Sequence, residues 1–274
     1  MGPVSGSTKP PAGSASAGGR APPRILAPVG VDAPTPAMRT ATSDRVERLV
    51  EALAAEIVMR HATGNRVLDF GHGSPRVTDW VAPRASQHSI IDAVDLGRGG
   101  EVSVPMPDAT FDLVYCLRTL PHLGHDAETS DQAARSALRE IARLLGPGGV
   151  ALVQIDNPMS LYGAWHGLRR LAKALERGPL VFDSPRGLTR FDSLPRLLGM
   201  LPSSLNMTNV YGLRVVAVTP ALLALPVIGR IFERMEWWAR DRPALRRLGA
   251  HLLIEVRRLS RLPPGEDPAQ SSYP

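Results

Sequence analysis

The sequence predicts an α/β fold built on an open, mostly parallel sheet, and two segments carry the prediction. Residues 67–75 read Val-Leu-Asp-Phe-Gly-His-Gly-Ser-Pro, an apolar run that ends in an acidic residue and a Gly-x-Gly turn. A strand covered on both faces has such an uninterrupted apolar run, and a turn that approaches a ligand closely needs residues without side chains. Some forty residues later, Pro-Met-Pro-Asp-Ala-Thr leads into a second apolar run, Phe-Asp-Leu-Val-Tyr-Cys, at 111–116. Helical periods separate runs of this kind along the chain, which is the alternation expected of parallel strands joined by crossovers.

In chain order, residues 1–40 are rich in Pro, Gly, Ser and Ala with no apolar period, and are expected to be a disordered tail. A helix should begin at Ser43 or Asp44. Asp44 and Glu47 fit a capping pattern, Val46, Leu49, Val50, Leu53 and Ile57 form the apolar stripe, and Gly64 fits the stop. Strands are expected at 66–70, 89–95, 111–116 and 149–155, with a short helix over Val77–Ala85 cut by Pro83. Tyr162, Trp165, Leu168, Leu171 and Leu175 recur at helical spacing, and Phe191–Met200 is a further helix candidate. Met207–Val218 and His251–Arg257 read as the last two strands. Between them, residues 219–248 are an apolar insertion flanked by arginines, and 263–274 form a second tail.

Composition bounds the function. A chain of 274 residues suits one domain with appendages. The single cysteine, Cys116, excludes an intrachain disulfide and a thiolate metal cluster. The start has no apolar core of signal-peptide type, and no window of eighteen apolar residues free of charge suggests a transmembrane helix. The net charge of +6 is unevenly spread: residues 1–159 sum to −2 and residues 160–274 to +8. The basic excess could meet an anionic substrate, an anionic membrane or a nucleic acid, or be solvated arginine on exposed helix faces. Dinucleotide binding would want a third glycine where Arg76 stands, and neither of the two lysines, Lys9 and Lys173, lies in a phosphate loop.

Four landmarks, in order, resemble class I S-adenosylmethionine-dependent methyltransferases of the small-molecule type 11 group. They are the Val67–Gly73 run, Ile90-Ile-Asp-Ala-Val-Asp95, Pro105-Met-Pro-Asp-Ala-Thr-Phe-Asp-Leu-Val-Tyr115, and Ala137-Leu-Arg-Glu-Ile-Ala-Arg-Leu-Leu-Gly-Pro-Gly-Gly149. The match covers about residues 45–157 well. The resemblance implies a Rossmann-like methyltransferase fold over residues 41–262, with a seven-stranded, mostly parallel sheet of order 3-2-1-4-5-7-6 and an antiparallel last strand. The segment between Asp95 and Phe111 is too short for the family's helix and full third strand, so a loop and a short edge strand near Glu101–Val104 are expected.

For the site, the resemblance implies S-adenosylmethionine as cofactor. Asp95 would accept hydrogen bonds from the ribose hydroxyls, Asp69 would organise the glycine turn while facing the cofactor's methionine end, in direct contact with it or in a purely structural role, and Gly71 and Gly73 would border the cofactor. Pro75 replaces the family's third glycine. Glu101 would stand near the adenine, and Cys116 and Leu117 near the methionine end. His122 matches a histidine that follows the family's fourth strand; it is the candidate general base, with loop anchoring as the alternative. Tyr162, Trp165 and His166 fall on the acceptor side, with core packing an equal claim. No metal is expected, because His125 and its neighbouring acids match no ligand spacing. An activated methyl donor needs a protein that binds, orients and excludes water more than one that supplies a nucleophile. The expected function is methyl transfer to a small molecule, apolar or lipid-like, by a cytoplasmic protein that could touch an anionic membrane. The alternatives are a catalytically inactive scaffold of the same fold and a nucleic-acid methyltransferase. Against the latter, the chain lacks the Asn/Asp-Pro-Pro-Tyr/Phe motif of many base-methylating enzymes.

Overall fold

The computed structural model describes residues 41–93, 101–160, 180–184, 187–216, 223 and 225–260. Both expected tails, Asp95 and the stripe around Tyr162, Trp165 and His166 lie outside the described residues. Helix α1 (Ala41–Ala62) leads into β1 (Arg66–Gly71), α2 (Pro75–Val81), β2 (Gln87–Asp92) and β3 (Phe111–Cys116). Helix α3 (Ala127–Leu144) precedes β4 (Leu145–Asp156), and a hairpin of β5 (Leu180–Ser184) and β6 (Gly187–Phe191) precedes α4 (Leu194–Met200). Then come β7 (Leu205–Leu213), α5 (Pro226–Arg240) and β8 (His251–Arg258).

Parallel pairing joins β2 to β1, β1 to β3 and β3 to β4. Strand β8 runs antiparallel between β4 and β7. The sheet therefore reads β2-β1-β3-β4-β8-β7, the mostly parallel arrangement with an antiparallel last strand that the sequence predicts. The β5–β6 hairpin attaches at the far end of β4, where Asp156 pairs with Phe191.

Period-two alternation decides which side chains go to which layer. On β3, Leu113 and Tyr115 join Val67 of β1, Leu152 of β4 and Leu253 of β8 beneath α1 and α2. Val114 and Cys116 face the other way, with Phe70, Val153 and Ile254, beneath α3 and α4. Each central strand is thus apolar on both faces, which is why its sequence reads as a continuous hydrophobic run. Helix ends are set locally. Asp126 caps α3 and exchanges hydrogen bonds with Thr129 in a capping box. Gly64 closes the α1–β1 turn at φ 74°, its N–H donating to the Arg84 carbonyl at 3.0 Å.

Several boundaries differ from expectation: β4 starts at Leu145, Phe191 closes β6 so that α4 starts at Leu194, and β7 runs from Leu205 to Leu213. Helix α1 starts at Ala41, so Asp44 lies in the first turn rather than at the cap. Strand β2 ends at Asp92, three residues before Asp95. Residues 101–105 form no strand. Their backbone bonds go to α3 instead. The N–H of Val102 donates to Ser136 Oγ at 2.9 Å and that of Val104 to Glu140 Oε1 at 2.7 Å, while Arg143 donates to the Val104 and Met106 carbonyls. Val102 and Val104 are buried in the α3 layer. Side-chain partners satisfy the backbone that an edge strand would have satisfied with its neighbour.

Glu255 of β8 is a buried carboxylate with three donors: Thr208 Oγ1 at 2.8 Å, Tyr211 Oη at 2.9 Å and His61 Nε2 at 3.5 Å. The His61 bond, outweighing burial and helped by Thr208 and Tyr211, lowers its pKa from the ordinary 4.5 to about 2. A depressed carboxylate stabilises the fold above its unfolded pKa, and the contribution disappears as pH falls through the folded value. Glu255→Gln is therefore expected to cost about 1.5–3 kcal/mol at neutral pH. Its deficit against wild type should shrink between pH 5 and pH 2 in urea titrations. A deficit that stays constant over that range would remove the charge from the account.

Candidate functional site

The carboxyl ends of β1, β2, β3 and β4 share one edge of the sheet, and β1 lies where the strand order reverses. Ligands of open α/β sheets bind in that crevice. The Gly-x-Gly turn sits at its centre. Gly71 has φ 101° and His72 has φ 47°, the left-handed region. A Cβ on Gly71 would lie 2.2 Å from Thr119 Cγ2, and one on Gly73 would lie 2.0 Å from the Leu117 carbonyl oxygen. The turn is pressed against the segment that follows β3, and only glycine fits at either position. Arg118 in that segment also has a left-handed φ, of 56°. Left-handed non-glycine residues thus gather at both walls of the crevice, as backbone strain tends to do at functional sites.

Asp69 is almost completely buried and spends its carboxylate on the loop: Thr78 Oγ1 donates at 2.5 Å, and His72 Nδ1 lies 3.2 Å away. The hydrogen bond to Asp69 raises the His72 pKa. These contacts tie Asp69 to His72 of the turn and to Thr78 of α2. Pro75, in place of a third glycine, is the first residue of α2, where a missing N–H costs nothing and the fixed φ suits the helix.

An ionic clasp, not foreseen from the sequence, closes over this turn. Glu51 of α1 is buried and accepts from Ser74 Oγ at 3.0 Å and from Arg76 Nη1 at 2.6 Å. Arg118 lies 3.6 Å from the same carboxylate and pairs with Glu47, one turn earlier. Helix α1 therefore ties the loop after β1 to the loop after β3. The only sequence signal was two glutamates, four apart, on the helix that precedes the glycine turn.

The remaining expected residues are dispersed. Cys116 is fully buried under α3, and burial pushes its thiol up to about 12, so it is neither a nucleophile nor an open lining group. The Leu117 side chain packs in the α1–α2 layer, and its carbonyl is what faces Gly73. Glu101 is exposed at the start of the extended segment. His122 lies in the short turn Leu120–His122, with Nδ1 3.1 Å from the Leu188 carbonyl of β6, which makes it an anchor for the hairpin. Two residues the sequence reading did not single out stand on the same edge. Asp92, the last residue of β2, is partly buried and in register with Gly71. His251, the first residue of β8, has Nδ1 2.6 Å from Asp156 Oδ1 at the end of β4. Among the described residues, no cluster of three or more His, Cys, Asp or Glu side chains could hold a metal ion.

Three solved structures are similar in outline. A Thermotoga maritima S-adenosylmethionine-dependent methyltransferase, described as a possible histamine N-methyltransferase, is 16% identical, with 78% of this chain and 92% of its own aligned at a TM-score of 0.44. The Burkholderia thailandensis 1,6-didemethyltoxoflavin N1-methyltransferase, with bound 1,6-didemethyltoxoflavin and S-adenosylhomocysteine, is 16% identical over 88% of this chain and 100% of its own, at 0.45. A Mesorhizobium loti S-adenosylmethionine-dependent methyltransferase is 15% identical over 78% and 100%, at 0.42. The assignment rests instead on sequence: the family model described as a methyltransferase domain matches residues 38–201, more than half of the chain, and the protein belongs to that family.

Proposed function

We propose that the protein transfers a methyl group from S-adenosylmethionine to a small, apolar or lipid-like acceptor, working at the periphery of an anionic membrane. The observation that carries the reading is the glycine turn at the reversal of strand order, with Asp92 in strand register with Gly71. That arrangement suits the cofactor: an acidic group at the carboxyl end of β2 to accept hydrogen bonds from the ribose hydroxyls, beside backbone that carries no side chain. The cofactor, when bound, supplies a methyl group already activated on sulfur. The chain's own work is then to bind, orient and exclude water. Asp69, His72 and Thr78 fix the shape of the turn, and the Glu51 clasp holds it against the loop after β3.

A hydroxyl or amine acceptor must also lose a proton. Besides His72, whose Nδ1 is held by Asp69 within the turn, two imidazoles on this edge have Nδ1 engaged by an acceptor, which leaves Nε2 as the proton-accepting atom of the neutral ring. In His122 the engaged partner is a carbonyl; in His251 it is the Asp156 carboxylate. A carboxylate behind the ring both orients it and stabilises the cation formed on proton transfer. His251 is thus the stronger candidate base, and His122 the anchor of the hairpin beside it.

Two carboxylates compete for the ribose role: Asp95 by its motif and Asp92 by its register. Asp95→Ala is expected to weaken cofactor binding by roughly 10- to 100-fold, the effect of losing charge-assisted hydrogen bonds. Titration calorimetry on Asp92→Ala identifies the residue if the loss falls there instead. Asp108, an exposed partner of Arg143, is the control and should bind as wild type. Unchanged affinity in both the Asp95 and Asp92 variants, or no binding by wild type, would sink the reading.

A further inference from the structure

Helix α5 is amphipathic in the wrong sense for a helix that packs on a core. Val227, Ile228, Ile231, Met235 and Trp238 recur at spacings of three and four and share one face. All five are exposed, from 41% for Ile228 to 71% for Val227. The opposite face, Gly229, Glu236, Ala239 and Arg240, is buried.

Polar contacts hold the helix in this orientation. Glu236, fully buried, accepts from the N–H groups of Val215 at 2.9 Å and Val216 at 2.5 Å, just beyond β7. Arg240 donates to the Leu53 carbonyl at 3.2 Å and to Glu56 at 2.8 Å, both on α1. Glu233 pairs with Arg45 at 2.8 Å. Gly229 seats the helix against Leu223, whose carbonyl oxygen would lie 2.4 Å from an added Cβ. Turning the apolar stripe inward would strip Glu236 of its donors and leave Arg240 without its α1 partners. The stripe therefore faces outward by construction.

Its border is basic. Arg230 and Arg234 are exposed, one turn apart, beside Val227 and Ile231. Arg242 stacks over the Trp238 ring and Arg240 over the Trp237 ring, each 5.0 Å from the centroid. The acidic neighbours Glu233 and Asp241 are already paired, with Arg45 and Arg240. An apolar stripe with tryptophan at its end and arginine along its side fits a helix lying in the plane of a membrane interface. It fits an antiparallel second copy poorly, because that two-fold contact between stripes would bring the arginine borders of both copies together. Among the described residues, no helix is long and apolar enough to cross a membrane.

We infer that α5 docks the protein on an anionic lipid surface, its Val227–Trp238 stripe entering the interface and Arg230, Arg234 and Arg242 meeting the headgroups. Helix α1 carries attachments to both α5 and the candidate site: Arg45 pairs with Glu233 of α5, and Glu47 pairs with Arg118 at the site. The inference extends the peripheral reading above, and its test uses neither donor nor acceptor, so its failure leaves methyl transfer standing. The full chain is sedimented with vesicles of phosphatidylcholine and phosphatidylglycerol, and with phosphatidylcholine alone. It should pellet with the anionic vesicles at low salt and be released as salt rises, because surface attraction is screened. Arg230→Gln with Arg234→Gln should weaken the anionic preference by on the order of tenfold or more. Ile231→Ser with Met235→Ser should abolish pelleting while the melting midpoint stays near wild type, since both side chains are exposed. Failure to pellet at low salt would overturn the inference. So would pelleting unchanged in the stripe variant, or a dimer in sedimentation velocity that the stripe variant dissociates.

Discussion

Gly73→Ala is expected to lower the unfolding free energy by about 2–4 kcal/mol and to abolish cofactor binding. The added Cβ would stand 2.0 Å from the Leu117 carbonyl oxygen and 3.2 Å from the Arg118 carbonyl carbon. Both are backbone, and backbone here cannot step aside. The Leu117 carbonyl leaves β3, whose preceding residues are locked between β1 and β4, and Thr119 Oγ1 donates to it at 3.1 Å. Relief must come from opening the crevice, which pulls on the Glu51 clasp and displaces the turn. Gly199→Ala is the internal comparison. It sits in α4 with nothing within 4 Å of the new methyl, and should gain about 0.5 kcal/mol from reduced unfolded-state entropy. Urea midpoints and calorimetry on both variants decide the matter. A Gly73 variant as stable as wild type would mean that the turn is not wedged against the loop after β3.

What could be read from the sequence and what could not divides along a physical line. Strand β3 falls at the predicted residues because six consecutive positions had to satisfy two buried faces, a local pattern with few alternatives. The turn after β1 was legible because glycine is demanded by sterics. The bonds that organise the site were not. Asp69 meets Thr78 nine residues on, and Glu51 meets Arg76 after twenty-five, pairings that leave no periodic trace. The family resemblance leads to a short edge strand at 101–104, yet Ser136 and Glu140 of a helix more than thirty residues away take the Val102 and Val104 N–H groups. The apolar, arginine-flanked insertion was visible, but periodicity says only that a helix has two faces. Which one turns inward depends on Glu236 finding Val215 and Val216. The run Ile90–Asp95 holds two aspartates three residues apart, and of these Asp92, the one among the described residues, is in register with Gly71.

Arg190→Met is expected to cost about 3–5 kcal/mol, the usual loss when one member of a buried ionic cluster is removed. Arg190 on β6 is the largest fully buried side chain described. Its Nε donates to Asp192 at 2.5 Å, and its Nη2 to Asp192 at 2.9 Å and Asp131 at 2.9 Å. Asp131, on α3, also receives Arg196 at 2.7 Å and Arg135 at 2.9 Å, so the cluster fixes the β6–α4 unit to α3. Burial opposes the charge on Asp131, but the hydrogen bonds from Arg135, Arg196 and Arg190 outweigh it and lower its pKa from the ordinary 3.8 to about 2. Methionine matches the arginine stem in length and leaves Asp192, almost fully buried, with Arg196 as its remaining ionic partner. The sign of the pH dependence follows from the depressed value. The stabilisation is present above pH 3.8 and is lost as pH falls toward 2, so the gap between variant and wild type should narrow over that range. A double variant, Arg190→Met with Asp192→Leu, removes the pair together and should recover part of the loss, because the uncompensated charge rather than the missing attraction dominates the single change. Equal losses in the single and double variants would show that Arg190 acts through its packing volume, and that the ionic cluster does not hold α4 to α3.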